Sequence, residues 1–190
     1  YPDVMLEFNL SYGMIGVLAT GYRVLSGSLQ LLMGILGTFV KKKVLLGLGM
    51  IWQCAANSLM AISQRFDHAL IARTSAGVGG SPQHPTTSSY ISEIFPKKDV
   101  GRALGLNMVA SRVGGFIAPI VGSLLLYSVG WRTTLLLFSI PGIMIGVAFL
   151  LVQEAKPYQE WSDILRLSPL LTQIRETLSE GHVLALLLFQ

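Results

Sequence analysis

The chain has 190 residues, 52% of them apolar and 13% charged, with a mean hydropathy of +0.59. A soluble domain carries about a quarter charged residues, and disorder requires few apolar ones, so the composition points instead to an α-helical integral membrane protein. The net charge of +4, from 14 basic and 10 acidic residues, comes from bases scattered singly or placed in short loops; that pattern fits membrane topology and not nucleic-acid binding.

Residues 1–12 lack a cationic stretch followed by an apolar core, so they are no signal peptide, and they are expected to face away from the cytoplasm. Five crossings are expected, over residues 13–40, 44–63, 69–91, 103–127 and 133–152. Each has about the 20 residues that a membrane helix needs. Their many glycines suit close helix packing in lipid. Cys54 is the single cysteine, which excludes an internal disulfide and a thiolate metal site; no metal or cofactor is expected. Gln53, Asn57 and Asn107 are read as interhelical hydrogen-bonding groups, and Trp52, Trp131 and Tyr127 as packing or interface aromatics.

Residues 153–182 break the pattern. Leu167, Leu171, Ile174 and Leu178 recur at helical spacing with Arg175, Glu176 and Glu180 between them, and Ser168-Pro169 reads as an N-cap followed by an N1 proline. This segment is expected to be a cytoplasmic amphipathic linker at the membrane surface. Residues 183–190 begin a further apolar run, expected to start the next crossing. With Tyr1 in first place and that run cut short, the chain is expected to be a fragment of a longer protein.

Loop charges set the orientation. Lys41, Lys42, Lys43, Lys97, Lys98, Arg102, Lys156, Arg166 and Arg175 would share one side, against Arg65 and Arg132 on the other. Nine against two is a positive-inside pattern, so the base-rich side is the cytoplasmic one, in a plasma or cytoplasmic membrane.

Arg23, Arg73 and Arg112 fall inside the apolar segments. A cation at the centre of a membrane helix costs about 2.5–3.5 kcal/mol on insertion scales, and no Asp or Glu lies within the five segments. An anionic substrate would supply the missing charge, since a guanidinium matches carboxylate or phosphate in bidentate geometry. Helical spacing puts Arg23 with Gly27, Gln30 and Gly34, Arg73 with Gly77, Gly80 and His84, and Arg112 with Gly115, Pro119 and Gly122. The substrate-binding candidates are therefore Arg23, Gln30, Arg73, His84 and Arg112. Each arginine also has a structural reading: Arg23 could snorkel outward, and Arg73 and Arg112 could hold helices together. His84 sits between prolines that kink the helix; it is either a proton carrier or an interhelical hydrogen-bonding group.

Local patterns at fixed places carry a family resemblance. Residues 34–43, Gly-Ile-Leu-Gly-Thr-Phe-Val-Lys-Lys-Lys, resemble the loop signature G-x-L-a-D-r-x-G-r-k of the major facilitator superfamily. Gly34, Leu36, Lys42 and Lys43 fit, while Thr38, Phe39 and Lys41 replace its Asp, Arg and Gly. Residues 73–79 resemble the fourth-helix pattern R-x-x-q-G-x-g, and residues 93–105 the loop that follows it. Gly114, Ala118, Pro119 and Gly122 stand where the fifth-helix signature G-x-x-x-G-P-x-x-G-G has its own positions, with Ala118 and Ser123 in place of glycines. Gly130-Trp131-Arg132 fits the entry to the sixth helix.

The resemblance implies an all-α helical bundle, partial here, with the five segments as family helices two to six. It also implies alternating access around a site near the membrane midplane. It gives Gly34, Lys42, Lys43, Gly114, Ala118, Pro119 and Gly122 gating roles, and the loss of the acid at Thr38 removes a charge lock of the family. The expected function is secondary transport of a small anion, with a coupling proton or counter-anion as possible partner besides the lipid bilayer. The competing reading is a drug:proton antiporter, on the signature around Pro119. An intramembrane enzyme is disfavoured because paired acids are lacking and prolines separate Ser81 from His84. No G-x-x-x-x-G-K-[ST] loop supports an ATP-driven pump.

Overall fold

The structure, a computed structural model, describes residues 2–151. The expected linker over 153–182 and the expected span from 183 lie outside them. All described elements are α-helices: α1 (Pro2–Glu7), α2 (Tyr12–Phe39), α3 (Lys42–Ala61), α4 (Phe66–Gly80), α5 (Gln83–Ile94) and α6 (Val100–Leu151). Among the described residues there is no strand, as an all-α bundle requires.

Local chemistry explains the boundaries. The Ser11 hydroxyl accepts from the Met14 N–H at 3.3 Å and caps α2. Extended angles at Val40 stop that helix, and Lys41 opens α3. The single crossing expected over 69–91 is instead two helices. Pro82 and Pro85 carry no N–H, so two intrahelical bonds are missing within one turn; the Ser81 hydroxyl closes the end of α4 on the Val78 carbonyl at 2.6 Å.

Helix α6 has 52 residues, about 78 Å at 1.5 Å per residue, far more than the ~30 Å hydrocarbon core. Gly130 divides it, with φ 76° and ψ 167°, while the backbone stays helical through Pro119 and Pro141. The second arm runs antiparallel to α3: Arg132 bonds the Ala61 carbonyl at one end, and Lys43 bonds the Leu150 carbonyl at the other. Between them Gly146 abuts Gly47 and Gly142 abuts Cys54. Of the described helices, α3 and α6 are long and apolar enough to count as spans on composition alone. Helix α2 has 28 residues, but Thr20, Tyr22, Arg23, Ser26, Ser28 and Gln30 dilute its apolarity.

Small residues let the helices touch. A Cβ on Gly79 would collide with the Gly49 carbonyl and the Gln53 N–H, and one on Gly77 would stand 2.6 Å from the Tyr22 carbonyl. Such backbone approach is how lipid-embedded helices gain contact without a hydrophobic driving force. The arm 103–127 of α6 contrasts with this, because most of its apolar side chains are exposed.

Polar contacts hold the two ends. At the base-rich end Lys42 is buried; it pairs with the Glu93 carboxylate and donates to the Ser89 hydroxyl at 2.6 Å. The loops carrying Lys41–Lys43 and Lys97–Lys98 therefore share one end, since Glu93 closes α5 just before the latter. At the opposite end stands α1, a helix within the segment expected to face away from the cytoplasm. Its Glu7 accepts from Arg132 Nη2 at 2.5 Å and from the Trp131 indole at 2.7 Å. Val4 and Leu10 pack with Leu18, Met60, Ala69 and Trp131 beneath it.

Gly130 has open space around its Cβ position, so Gly130→Ala costs only backbone strain, about 1–3 kcal/mol. Gly16, helical and equally uncrowded, gains about 0.5–1 kcal/mol as alanine. Thermal melts of the detergent-solubilised protein should move in opposite directions for these two variants; a neutral Gly130→Ala contradicts the break. The bonds from Arg132 and Trp131 hold the Glu7 carboxyl below its ordinary value. Its stabilising contribution is complete above about pH 4.3, the range of a free glutamate, and is lost as pH falls through the lower folded value. Glu7→Gln should melt lower than wild type at pH 7, with the difference vanishing on acidification.

Candidate functional site

A polar cavity of about 460 Å³ lies among α2, α3, α4 and α5. Helix α2 contributes Tyr22, Arg23, Ser26, Gly27 and Gln30, which the i, i+4, i+7 spacing puts on one stripe. Helix α3 contributes Met50 and Gln53, three residues apart. Gly80 ends α4 at the wall, and its lack of a side chain admits the Tyr22 ring. Gln83 and His84 open α5 directly after Pro82 and line the cavity.

The walls are cross-linked. Gln53 donates its amide N–H to the Tyr22 hydroxyl at 3.3 Å. The Arg73 guanidinium lies 4.8 Å from the Tyr22 ring centroid and donates to Asn57 Oδ1 at 3.0 Å. The amide oxygen thus answers Nη1 and the aromatic face answers part of the charge; Arg73 Nε is buried without a partner among the described residues. Gln83 Nε2 is likewise buried and without one. It lines the cavity, so an unused amide donor stands in the wall.

Three of the five sequence candidates therefore meet: Arg23, Gln30 and His84. Arg73 does not line that cavity: it bonds Asn57 and stacks on the Tyr22 ring, and it lines a separate space of about 230 Å³ with Asp3, Trp131 and Thr134. Arg112 is exposed on the first arm of α6 and lines neither space. Among the described residues no carboxylate pairs with Arg23 or Arg112.

The signature residues divide in the same way. Gly34 faces Pro85 and Gly37 faces Thr86, so the loop motif packs on the first turn of α5. Thr38, standing at the family's acidic position, donates its hydroxyl to the Ile35 carbonyl at 2.7 Å and serves its own helix. Lys42 and Lys43 make the end contacts described above. Gly114, Ala118 and Pro119 are exposed, and Gly122 faces the Phe138 ring of the second arm at 3.7 Å.

Sequence reasoning missed Tyr22, Gln83 and Met50. Tyr22 precedes an arginine already singled out, and Gln83 precedes His84, so the clue was adjacency at a helix break. Gln53 and Asn57 do form the interhelical bonds expected of them, and Asn107 lies instead in a groove with Phe95 and Arg102. Chemically the cavity offers one fixed cation, several neutral donors and acceptors, and an imidazole. Among the described residues no cluster could hold a metal ion.

If Arg73 is structural, removing its acceptor should be felt as lost stability. Asn57→Ala leaves a partly buried guanidinium without that bond, a loss of about 1.5–3 kcal/mol. The melting temperature should drop while apparent substrate affinity holds; the reverse pattern would put Arg73 in direct contact with substrate.

The sequence profile of the Major Facilitator Superfamily matches residues 1–189. The "Probable L-galactonate transporter" of Escherichia coli is 25% identical over 154 residues, 81% of this chain and 34% of that protein. "Riboflavin transporter RibZ" of Clostridioides difficile is 24% identical over 152 residues, 78% of this chain and 33% of its own. "Probable sulfoacetate transporter SauU" of Cupriavidus necator is 26% identical over 132 residues, covering 69% and 30%. The chain thus spans about a third of the length of these relatives.

Proposed function

The chain belongs to the Major Facilitator Superfamily, and on that premise we propose that it forms part of a secondary transporter that carries a small organic anion by alternating access. Membership makes it a multi-pass membrane protein. The observation that carries the substrate class is the cavity in which Arg23 stands with Gln30, Gln53, Gln83 and His84 and, among the described residues, no lining carboxylate. A guanidinium exposed to a cavity inside a membrane domain is a docking point for carboxylate, sulfonate or phosphate. The carboxamides and hydroxyls around it suit a polar body on the same molecule.

The relatives lend support of unequal strength. L-galactonate and sulfoacetate, in two of their names, are organic anions; riboflavin, in a third, is not. The family alone does not dictate an anion, and Arg23 is what tips the reading. In the alternating-access cycle the helices joined by glycine seams move as a unit, since packed interfaces shift between discrete arrangements rather than deforming. The Lys42–Glu93–Ser89 contact at the base-rich end stands where the family's loop signature gates. A lysine from that signature thus makes an ion pair although the acid is absent at Thr38.

Arg23→Ala in the whole protein should raise the KM for anion uptake roughly ten- to a hundredfold, the worth of one charge-assisted contact at about 1.5–3 kcal/mol. Radiolabelled uptake into proteoliposomes measures it, with Arg112→Ala run alongside to test the first arm of α6. Undiminished uptake in both variants removes the reason for choosing an anion. Efflux of lipophilic cations, abolished by a protonophore, would favour the drug:proton antiporter reading instead.

A further inference from the structure

Three buried side-chain atoms lack a hydrogen-bond partner among the described residues: Arg73 Nε, Gln83 Nε2 and Thr86 Oγ1. Arg73 lines the separate space beside Asp3, and Thr86 is packed against Gly37. Gln83 belongs to the cavity that Arg23 lines. An amide N–H taken out of water without an acceptor is costly, and native proteins keep few such groups. Gln53, in the same wall, differs: it gives its N–H to the Tyr22 hydroxyl at 3.3 Å.

The two ends of a carboxamide decide what could answer Gln83. The nitrogen donates and the oxygen accepts. A carboxylate or sulfonate only accepts, and Arg23 is its stronger partner because that bond is charge-assisted. A hydroxyl does both. It can take the Gln83 N–H on its oxygen and return its own hydrogen to a carboxamide oxygen of Gln30, Gln53 or Gln83. The terminal torsion of a glutamine is broad, and Gln83 Nε2 has no bond to the described residues to give up, so turning its N–H to a ligand costs little. The volume of about 460 Å³ suits a body of several carbons rather than a bare inorganic ion, since small-molecule pockets span about 300–1,000 Å³.

We propose that Gln83 is a specificity-determining residue of this cavity and that it selects a polyhydroxylated organic anion: the anionic group sits on Arg23, and a hydroxyl of the carbon chain exchanges hydrogen bonds with the Gln83 carboxamide. The inference rests on the anion reading above and adds the body of the molecule to its charge. An anion without hydroxyls satisfies Arg23 but desolvates carboxamides that it cannot pair with. That penalty makes a site built for a hydroxyl reject the analogue lacking it far more strongly than an apolar pocket rejects an added group. Selection here therefore works against the bare anion as much as for the hydroxylated one.

The test measures equilibrium binding to the whole protein in detergent by calorimetry, with L-galactonate, sulfoacetate and hexanoate as probes and Arg23→Ala as the reference for binding that depends on the site. Hexanoate is a six-carbon monocarboxylate like L-galactonate but has no hydroxyls. L-Galactonate should bind at least about a hundredfold tighter than hexanoate. Gln83→Met removes the amide at similar size; it should shrink that ratio about tenfold, the worth of one hydrogen bond, by weakening L-galactonate while hexanoate holds or gains. Its melting temperature should not fall, because an unpaired donor gives way to apolar atoms. Gln83→Asn withdraws the amide by one methylene and should shrink the ratio in the same direction, which keeps the test open if the Met variant misfolds. L-Galactonate binding no tighter than hexanoate or sulfoacetate, or a ratio unchanged in both variants, would overturn the role of Gln83 and leave the anion reading standing. No Arg23-dependent binding of any of the three probes would overturn the anion reading and this inference with it.

Discussion

A guanidinium cannot rest in a low-dielectric interior without something to answer its charge and its five N–H groups, and the architecture is organised around how three arginines meet that condition. Arg132 meets it with a carboxylate, Glu7, and a backbone carbonyl, at the end of the bundle where water is near. Arg73 meets it with an aromatic face and an amide, Tyr22 and Asn57. The first neutralises the charge; the second leaves it formally unpaired but engaged with a π face and an amide oxygen. Arg23 has no such answer among the described residues, and it stands at a cavity. The same residue type thus makes a strap, a brace and a receptor, and the neighbours decide which.

The brace and the receptor are mechanically joined. Tyr22 offers its ring to Arg73 and its hydroxyl to Gln53, while the next residue along α2 is Arg23. Gly77 and Gly80 are what let α4 come close enough for this, since a Cβ at either would meet Tyr22. The glycine seam therefore sets the position of the tyrosine, and the tyrosine sets the wall behind the arginine. Small residues far from any charge in this way control where a charge is presented, which is a packing effect with an electrostatic consequence.

The helical character was legible in the sequence because long apolar stretches without acids announce themselves, although among the described helices α3 and α6 alone pass as spans on composition. The alternation of basic loops also reported which ends lie together, as the Lys42–Glu93 contact bears out. The i, i+4, i+7 rule placed Arg23, Gly27 and Gln30 on the cavity stripe. The same rule put Arg73, Gly77, Gly80 and His84 on one face; the first three meet Tyr22, and Gly80 and His84 line the cavity with it. It could not see Asn57, which lies in another helix and accepts from the arginine. The short α1 was not legible at all. Its six residues depend on tertiary contacts with Trp131 and Arg132, more than a hundred positions away, and no local pattern encodes a partner so distant.

The break between α4 and α5 ties these strands together. A continuous helix there would be cheaper in backbone hydrogen bonds, and in a membrane each lost bond weighs more because no water replaces it. Such interruptions are tolerated where the backbone is buried in protein or lines a cavity, and this one does both: Ser81 and Pro82 are buried, while Gln83 and His84 open onto the space beside Arg23. The junction thus presents an amide and an imidazole at the cavity that Arg23 also lines. Its two prolines withhold backbone donors, while the angles at Ser81 and Pro82 stay in the right-handed helical region, so α5 continues close to the line of α4 and the neighbouring glycines hold α2 and α3 against both.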